Sequence, residues 1–370
     1  MRRIGAQDPL DEVEDLEDHD FISYFIEDME AYGKSSSTLY EYERVLRDFD
    51  DFTDTHHARA SRRDCMGYIS DLRSRGLSAS TVSTYASYLH RFYSYLVKAD
   101  EFPHSNNPMA LVTEEMSEGI DKNPQRRELS VTDVTEFLKT VNHPRDRCIL
   151  VTLFKTGMRA GELSNLKLED ISLTTDLDDE FGLGGNARLS RNSLLVVSDR
   201  DGNKRLRDTL IPIDDELRKE LVRWLRVRPE NGSSRGRVNQ KIHERLEAEA
   251  SMARKSEISE RPETDSDAVF VSLSRASETG SLSPEAVSSL MRKYTQPYGW
   301  WEEGRGLEEN VTPHYCRHFF TTHLREASGD DALVKYLRGD VGGDVIETYT
   351  HQWGDNVRES YEKYIYRLVS

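Results

Sequence analysis

Three short strings in this chain hold side chains suited to work on a phosphate. The first is Thr156-Gly157-Met158-Arg159-Ala160-Gly161-Glu162-Leu163, where a glycine ends one helical run and an arginine opens the next. A guanidinium there can grip a phosphate through two N–H groups, helped by the free amides of the helix start. Glu162, one turn on, is spaced to fix that guanidinium or to cap the helix. The second is Thr312-Pro313-His314-Tyr315-Cys316-Arg317-His318. Pro313 presets a helix start, so His314 and Arg317 share one face. An imidazole beside a guanidinium suits an oxyanion that must be clamped and supplied with proton transfer. His314 and His318 also have the i, i+4 spacing of a zinc-binding helix, but Tyr315 fills the slot of the general-base glutamate. The third string is Glu347-Thr348-Tyr349-Thr350-His351.

Taken in this order, T-G-M-R-A-G-E-L, H-Y-C-R-H and Y-T-H resemble the motifs of tyrosine recombinases of the phage integrase and Xer type. The resemblance covers most of the chain, including two S-x-S-T helix starts and the closing Asn107-Pro108-Met109 of the first domain. It implies a catalytic set of Arg159, His314, Arg317 and Tyr349, acting on double-stranded DNA without metal or other cofactor. The tyrosine would attack a phosphodiester, form a 3′-phosphotyrosyl bond and release a 5′-hydroxyl. Two arginines would hold the pentavalent phosphorus, and the histidine would manage the proton of a phenol whose pKa is about 10. A lysine on a β-turn would protonate the leaving oxygen. Lys204 in Asp199-Arg200-Asp201-Gly202-Asn203-Lys204-Arg205 is the first choice, with Arg200 and Arg205 as substitutes, because the family's usual lysine slot holds Asp201.

One departure is sharper. The family commonly reads L-G-H nine residues before the tyrosine, and this chain reads Leu337-Arg338-Gly339-Asp340. Histidine donates to phosphate; an ionised carboxylate repels it. Asp340 is therefore protonated, or orients another residue, or leaves the role to His351 or Trp353. Four of the 17 tyrosines lie near the C-terminus. Tyr361 and Tyr364 share a helical face with Val357 and Leu368, which suits packing on this chain or on a neighbouring protomer.

These side chains need a frame. Gly33-Ser35-Ser37-Thr38 and Gly76-Ser78-Ser80-Thr81 each open a run of helical periodicity, and the Ser/Thr clusters predict N-caps. Leu39, Tyr42, Leu46 and Phe49 fall on one face, as do Val82, Tyr85, Leu89, Phe92 and Leu96. With Phe21–Ala31 and 64–73, they predict a four- or five-helix bundle ending near Asn107-Pro108. Further helices are expected after Ser130, over 144–155, after Gly157 and over 214–226. Strands are expected over 194–198, 210–213 and 268–273, and a final helix over 356–368. The fold class is thus mainly α with a small β-sheet. The resemblance makes it an N-terminal helical, SAM-like core-binding domain and a C-terminal mixed α/β catalytic domain. The expected division is an acidic tail at 1–17, the core-binding domain at 18–112, a linker at 113–127 and the catalytic domain at 128–370. A polar insertion at about 228–267 would hold one helix, 240–255.

Bulk properties constrain the setting. No run of about 18 apolar residues occurs and the first twenty residues are rich in Asp and Glu, so a cytoplasmic protein without membrane contact is expected. Cys65, Cys148 and Cys316 form no CxxC pair and indicate neither disulfides nor zinc. Against 50 basic residues stand 67 acidic ones, a formal charge of −17 that runs opposite to the usual footprint of a DNA binder. At molar ionic strength the Debye length shrinks to about 3 Å, and an acidic surface then repels DNA only at contact range. The composition accordingly suggests a halophilic archaeon, or its virus or plasmid. The resemblance further implies a homo-tetramer on paired attachment or crossover sites. The acidic start and the insertion favour integration and excision of a mobile element over Xer-like dimer resolution. A catalytically inactive DNA-binding module and a metal-dependent hydrolase are the competing classes.

Overall fold

The computed structural model describes residues 19–99, 106–116, 126–228, 266–272, 280–306, 309–340 and 353–368. The chain divides into two compact units, Met1–Pro124 and Gln125–Ser370. The helix expected over 240–255, together with Tyr349 and His351, lies outside the described residues.

The first unit holds α1 (Phe21–Ala31), α2 (Ser36–Phe52), α3 (Arg62–Ser74), α4 (Ala79–Lys98) and α5 (Ala110–Met116). The predicted caps form: Ser35 Oγ accepts from Thr38 N at 3.4 Å and Ser78 Oγ from Thr81 N at 3.2 Å. Each such cap contributes about 1 kcal/mol by satisfying an amide that the helix leaves free. Leu39, Leu46 and Phe49 on α2, and Val82, Tyr85, Leu89, Phe92 and Leu96 on α4, are buried. They meet in one apolar core with Phe25 and Tyr68. The bundle does not end at Asn107-Pro108. Asn107 Oδ1 accepts from Met109 N at 2.8 Å while its amide donates to His90 O and Ser94 Oγ on α4. The asparagine thus starts α5 and ties it to α4, so Thr113–Met116 are helical rather than linker.

The second unit runs α6 (Val131–Lys139), α7 (Pro144–Thr156), α8 (Ala160–Ser164), β1 (Ile171–Ser172), α9 (Thr175–Phe181), β2 (Ser193–Val196) and β3 (Thr209–Pro212). It continues with α10 (Asp215–Leu225), α11 (Pro284–Thr295), α12 (Pro313–Ser328), α13 (Asp331–Arg338) and α14 (Trp353–Tyr364). The strands form one antiparallel sheet in the order β1-β2-β3, with Leu194 opposite both Ile171 and Ile211. Helix α7 is the hub, buried at every residue from Asp146 to Thr156, with α10 and α12 packed on it. A helix enclosed on all sides lies in the centre of a core, and its buried charges then need partners. Its one buried lysine, Lys155, lies 2.6 Å from both Asp214 Oδ2 and Glu216 Oε2.

Two expected elements differ. The stretch 268–273 is no strand: among its described residues only isolated bridges form, Lys167 with Ala268 and Val271 with Ser281. The last helix stops at Tyr364, because Lys155 Nζ donates to Tyr366 O at 2.5 Å and Leu368 N to Glu216 Oε2 at 2.9 Å. Those bonds hold 365–368 out of the helix and dock Tyr361 and Leu368 into this chain's own core. Among the described residues no helix is long and apolar enough to cross a membrane.

Candidate active site

Helix α7 ends at Gly157, whose φ of +60° is the left-handed conformation that glycine adopts without strain. A Cβ there would stand 2.6 Å from the Phe320 ring, so the chain can turn this tightly against α12 only with glycine. The turn delivers Arg159 to the N-cap of the short helix α8. Glu162 performs both tasks open to it. Its Oε2 accepts from Arg159 N at 3.1 Å, and its Oε1 accepts from Arg159 Nη1 at 2.9 Å.

Helix α12 begins as expected, with Pro313 in its first turn and Thr312 capping Tyr315 N. Arg317 is 3% exposed at its side chain. Its Nη1 donates to Gly157 O at 3.0 Å, and its Nη2 to Arg338 O at 2.9 Å and Asp340 Oδ1 at 2.7 Å. Burial and the neighbouring Arg159 guanidinium push its pKa down to about 10, which leaves it charged at neutral pH. His314, one turn earlier, keeps an exposed edge. Desolvation by the protein beneath it, then the guanidinium groups of Arg126, Arg317, Arg159 and Arg338, hold its pKa below the usual imidazole value. His318 is shifted the same way by burial, Arg126 and His314. Among the described residues no three His, Cys, Asp or Glu side chains gather as metal ligands.

Of the roles open to Asp340, orienting other residues is the one its contacts show. Its Oδ1 accepts from Arg317 Nη2 at 2.7 Å and, more loosely, from Arg159 Nη2 at 3.5 Å. Its Oδ2 lies 2.8 Å from Arg338 Nη2. The backbone leading to it is fixed from below. Arg205 Nη1 donates to Leu337 O at 2.8 Å, and a Cβ on Gly339, at φ +71°, would stand 2.7 Å from the Arg205 side chain.

The three cations of the β2–β3 connection that the sequence offers for the lysine's role separate cleanly. Arg200 pairs with Glu169 and Asp170. Arg205 is buried, and its Nη2 donates to Glu162 Oε2 at 3.0 Å. Lys204 is exposed and has no side-chain partner among the described residues. The turn before it leans on α8: Asn165 Nδ2 donates to Asp201 O at 2.6 Å and Asn203 Oδ1 at 3.0 Å. Gly161 explains the closeness, since a Cβ there would meet Gly202 O at 3.0 Å. Arg200 and Arg205, offered by the sequence as substitutes for the lysine, are instead committed to carboxylates. Sequence reasoning missed Arg338 and Arg126 at this bay; their only local signal is a basic residue beside a motif.

Comparison with known proteins follows the same two units. The model of the phage integrase family matches residues 127–354, and that of the phage integrase N-terminal SAM-like domain matches residues 21–101. Tyrosine recombinase XerA of Pyrococcus horikoshii is 25% identical over 354 residues, 96% of each chain. Tyrosine recombinase XerD of Oceanobacillus iheyensis is 25% identical over 363 residues, covering 93% of this chain and 98% of the relative. Among solved structures, a lambda integrase dimer bound to a core site aligns with a TM-score of 0.57 at 13% identity, over 86% of this chain and 93% of that one. The Tn1549 transposon integrase in complex with transposon right end DNA aligns at 0.55 with 16% identity, over 93% and 99%. At these identities the structural likeness carries the fold.

Proposed function

We propose that this chain, which belongs to the phage integrase family and is a tyrosine-type site-specific recombinase, breaks and rejoins DNA through a 3′-phosphotyrosyl bond at Tyr349. The observation that supports this residue assignment is the bay itself. Arg159 and Arg317 arrive from helices far apart in sequence and reach the same carboxylate oxygen, with His314 one turn from Arg317. Two guanidinium groups converging in a desolvated site suit the equatorial oxygens of a phosphorane, whose charge they neutralise without reorganising. The phenolic oxygen of Tyr349 forms the new P–O bond as the bond to the 5′-oxygen breaks. His314 takes the phenol proton and Lys204 gives one to the leaving oxygen. Attack by a 5′-hydroxyl of a partner strand reverses the step and rejoins the DNA, and the phosphotyrosyl bond conserves the energy needed.

The wider setting is proposed on the same basis: double-stranded DNA with paired sites, a homo-tetramer, a cytoplasmic location and a halophilic archaeal source, where high salt screens the charge of −17. The acidic start and the polar insertion support integration and excision of a mobile element. The end-to-end likeness to XerA supports dimer resolution as the second use. Recombination between two different sites, as opposed to two identical ones, separates them.

The test is a nicked duplex carrying the sequence that the protein selects from a randomised pool, incubated in molar KCl with EDTA. The nick lets the 5′-hydroxyl fragment leave, so cleavage is trapped as a protein–DNA adduct. Wild type forms it and Tyr349→Phe does not. Binding without an adduct indicates an inactive DNA-binding module, and EDTA-sensitive cleavage without an adduct a metal-dependent hydrolase.

The His314 shift sets a pH dependence. A lowered pKa means that the imidazole loses its proton below about pH 6.5 and is neutral, able to accept, at pH 7. Single-turnover cleavage therefore rises with pH through a midpoint below that value and is level above it. His314→Gln removes this limb.

A further inference from the structure

We propose that Arg338 is a third phosphate-contacting arginine of this bay, held beside Arg317 by Asp340. The assignment rests on the bay being the seat of the scissile phosphate. Arg338 is the last residue of α13, and its own carbonyl accepts from Arg317 Nη2 at 2.9 Å. Backbone and side chain thus both fasten it to the same neighbour, one directly and one through Asp340. The ties differ in strength. Asp340 holds Arg317 and Arg338 at 2.7 and 2.8 Å, whereas Arg159 lies at 3.5 Å and is held mainly by Glu162. An incoming phosphate therefore displaces the weak Arg159–Asp340 contact and leaves the Arg317–Asp340–Arg338 bridge standing.

Arg338 also has donor capacity to spare. Its side chain is 29% exposed, so the N–H groups that Asp340 leaves free can meet an anion arriving from solvent. Its charge is felt across the bay, since it lowers the pKa of Arg317 and of both His314 and His318.

Charge balance points the same way. Arg159, Arg205, Arg317 and Arg338 face the carboxylates of Glu162 and Asp340. Among these six groups the cations exceed the carboxylates by two, and Arg338 supplies half of that excess facing an anionic phosphate. Asp340 cannot donate to phosphate, but by holding Arg338 it supplies a donor in its place.

The alternative is that Arg338 merely complements the negative end of α13 and pairs with Asp340. Charge at the scissile phosphate distinguishes the two. On the nicked duplex, Arg338→Ala slows adduct formation about 30-fold, less than the 10² to 10³ typical of a fully buried donor because its side chain is 29% exposed. On the same duplex with a methylphosphonate at the scissile position, which removes one charged oxygen, wild type and Arg338→Ala differ by less than about threefold. Asp340→Asn, which loosens the bridge, shows the same pattern. Equal slowing on both substrates, or no slowing on the phosphodiester, overturns the proposal.

Failure of the recombinase reading looks different: wild type forms no adduct on either substrate. Arg338 is then judged by binding alone, in the Tyr349→Phe background. The methylphosphonate weakens binding more when Arg338 is present than in Arg338→Ala, where Arg159 and Arg317 still meet the phosphate; an equal penalty in both overturns the assignment.

Discussion

Arg317→Ala reduces single-turnover cleavage by about 10³-fold or more, the upper range for loss of one preorganised oxyanion donor. Its burial is the reason: at 3% exposure its charge acts with little screening by water. The side chain also serves three acceptors, Gly157 O at the end of α7, Arg338 O at the end of α13 and Asp340. Removing it strips the phosphate of its main cation and unfastens the two chain segments that carry Arg159 and Arg338. Arg317→Lys separates these effects. It keeps the charge but cannot reproduce a forked set of bonds, so its cleavage lies between wild type and alanine. Quenched-flow adduct formation, with thermal unfolding as the control for folding, reads both. A loss under tenfold for Arg317→Ala places the scissile phosphate elsewhere.

Glu162→Ala is expected to lower unfolding free energy in urea by about 3 to 5 kcal/mol, the cost of leaving a buried cation without its partner. The cation is Arg205, whose side chain is fully buried and whose pKa is lowered by desolvation. Its Nη2 has Glu162 and its Nη1 has Leu337 O, while its Nε has no partner among the described residues. Glu162→Ala also releases Arg159, so cleavage falls together with stability. Glu162→Gln retains an oxygen for one arginine and loses less of both. Stability unchanged in Glu162→Ala means that Arg205 reaches water or another anion once the carboxylate is gone.

Much of this was legible locally. Ser35, Ser78 and Ser130 cap the helices that they were expected to start, and Pro144 and Pro313 sit in first turns. Gly157 breaks the chain where a positive φ is required. These are signals carried by one residue and its neighbours within a turn. Pairings across the fold were not legible. Nothing near Arg205 in sequence tells that it is buried against Glu162, rather than exposed like Lys204. The bridge from Arg317 through Asp340 to Arg338 joins α12 to the end of α13, and the sequence alone showed only a missing histidine. The strand expected over 268–273 failed for a related reason, since its apolar run is satisfied by core packing and by two isolated bridges. Burial without a ladder looks the same in one dimension. The end of α14 likewise depends on Lys155, 211 residues before Tyr366.

The central claim is that Tyr349 carries the DNA. The direct measurement is mass spectrometry of the trapped adduct, formed on the nicked duplex in EDTA, digested with nuclease and protease and searched for phosphonucleotide-bearing peptides. The account predicts one modified peptide, with the mass added at Tyr349 and none on Tyr361 or Tyr364. An adduct on another residue, or one that persists undiminished in Tyr349→Phe, would contradict it.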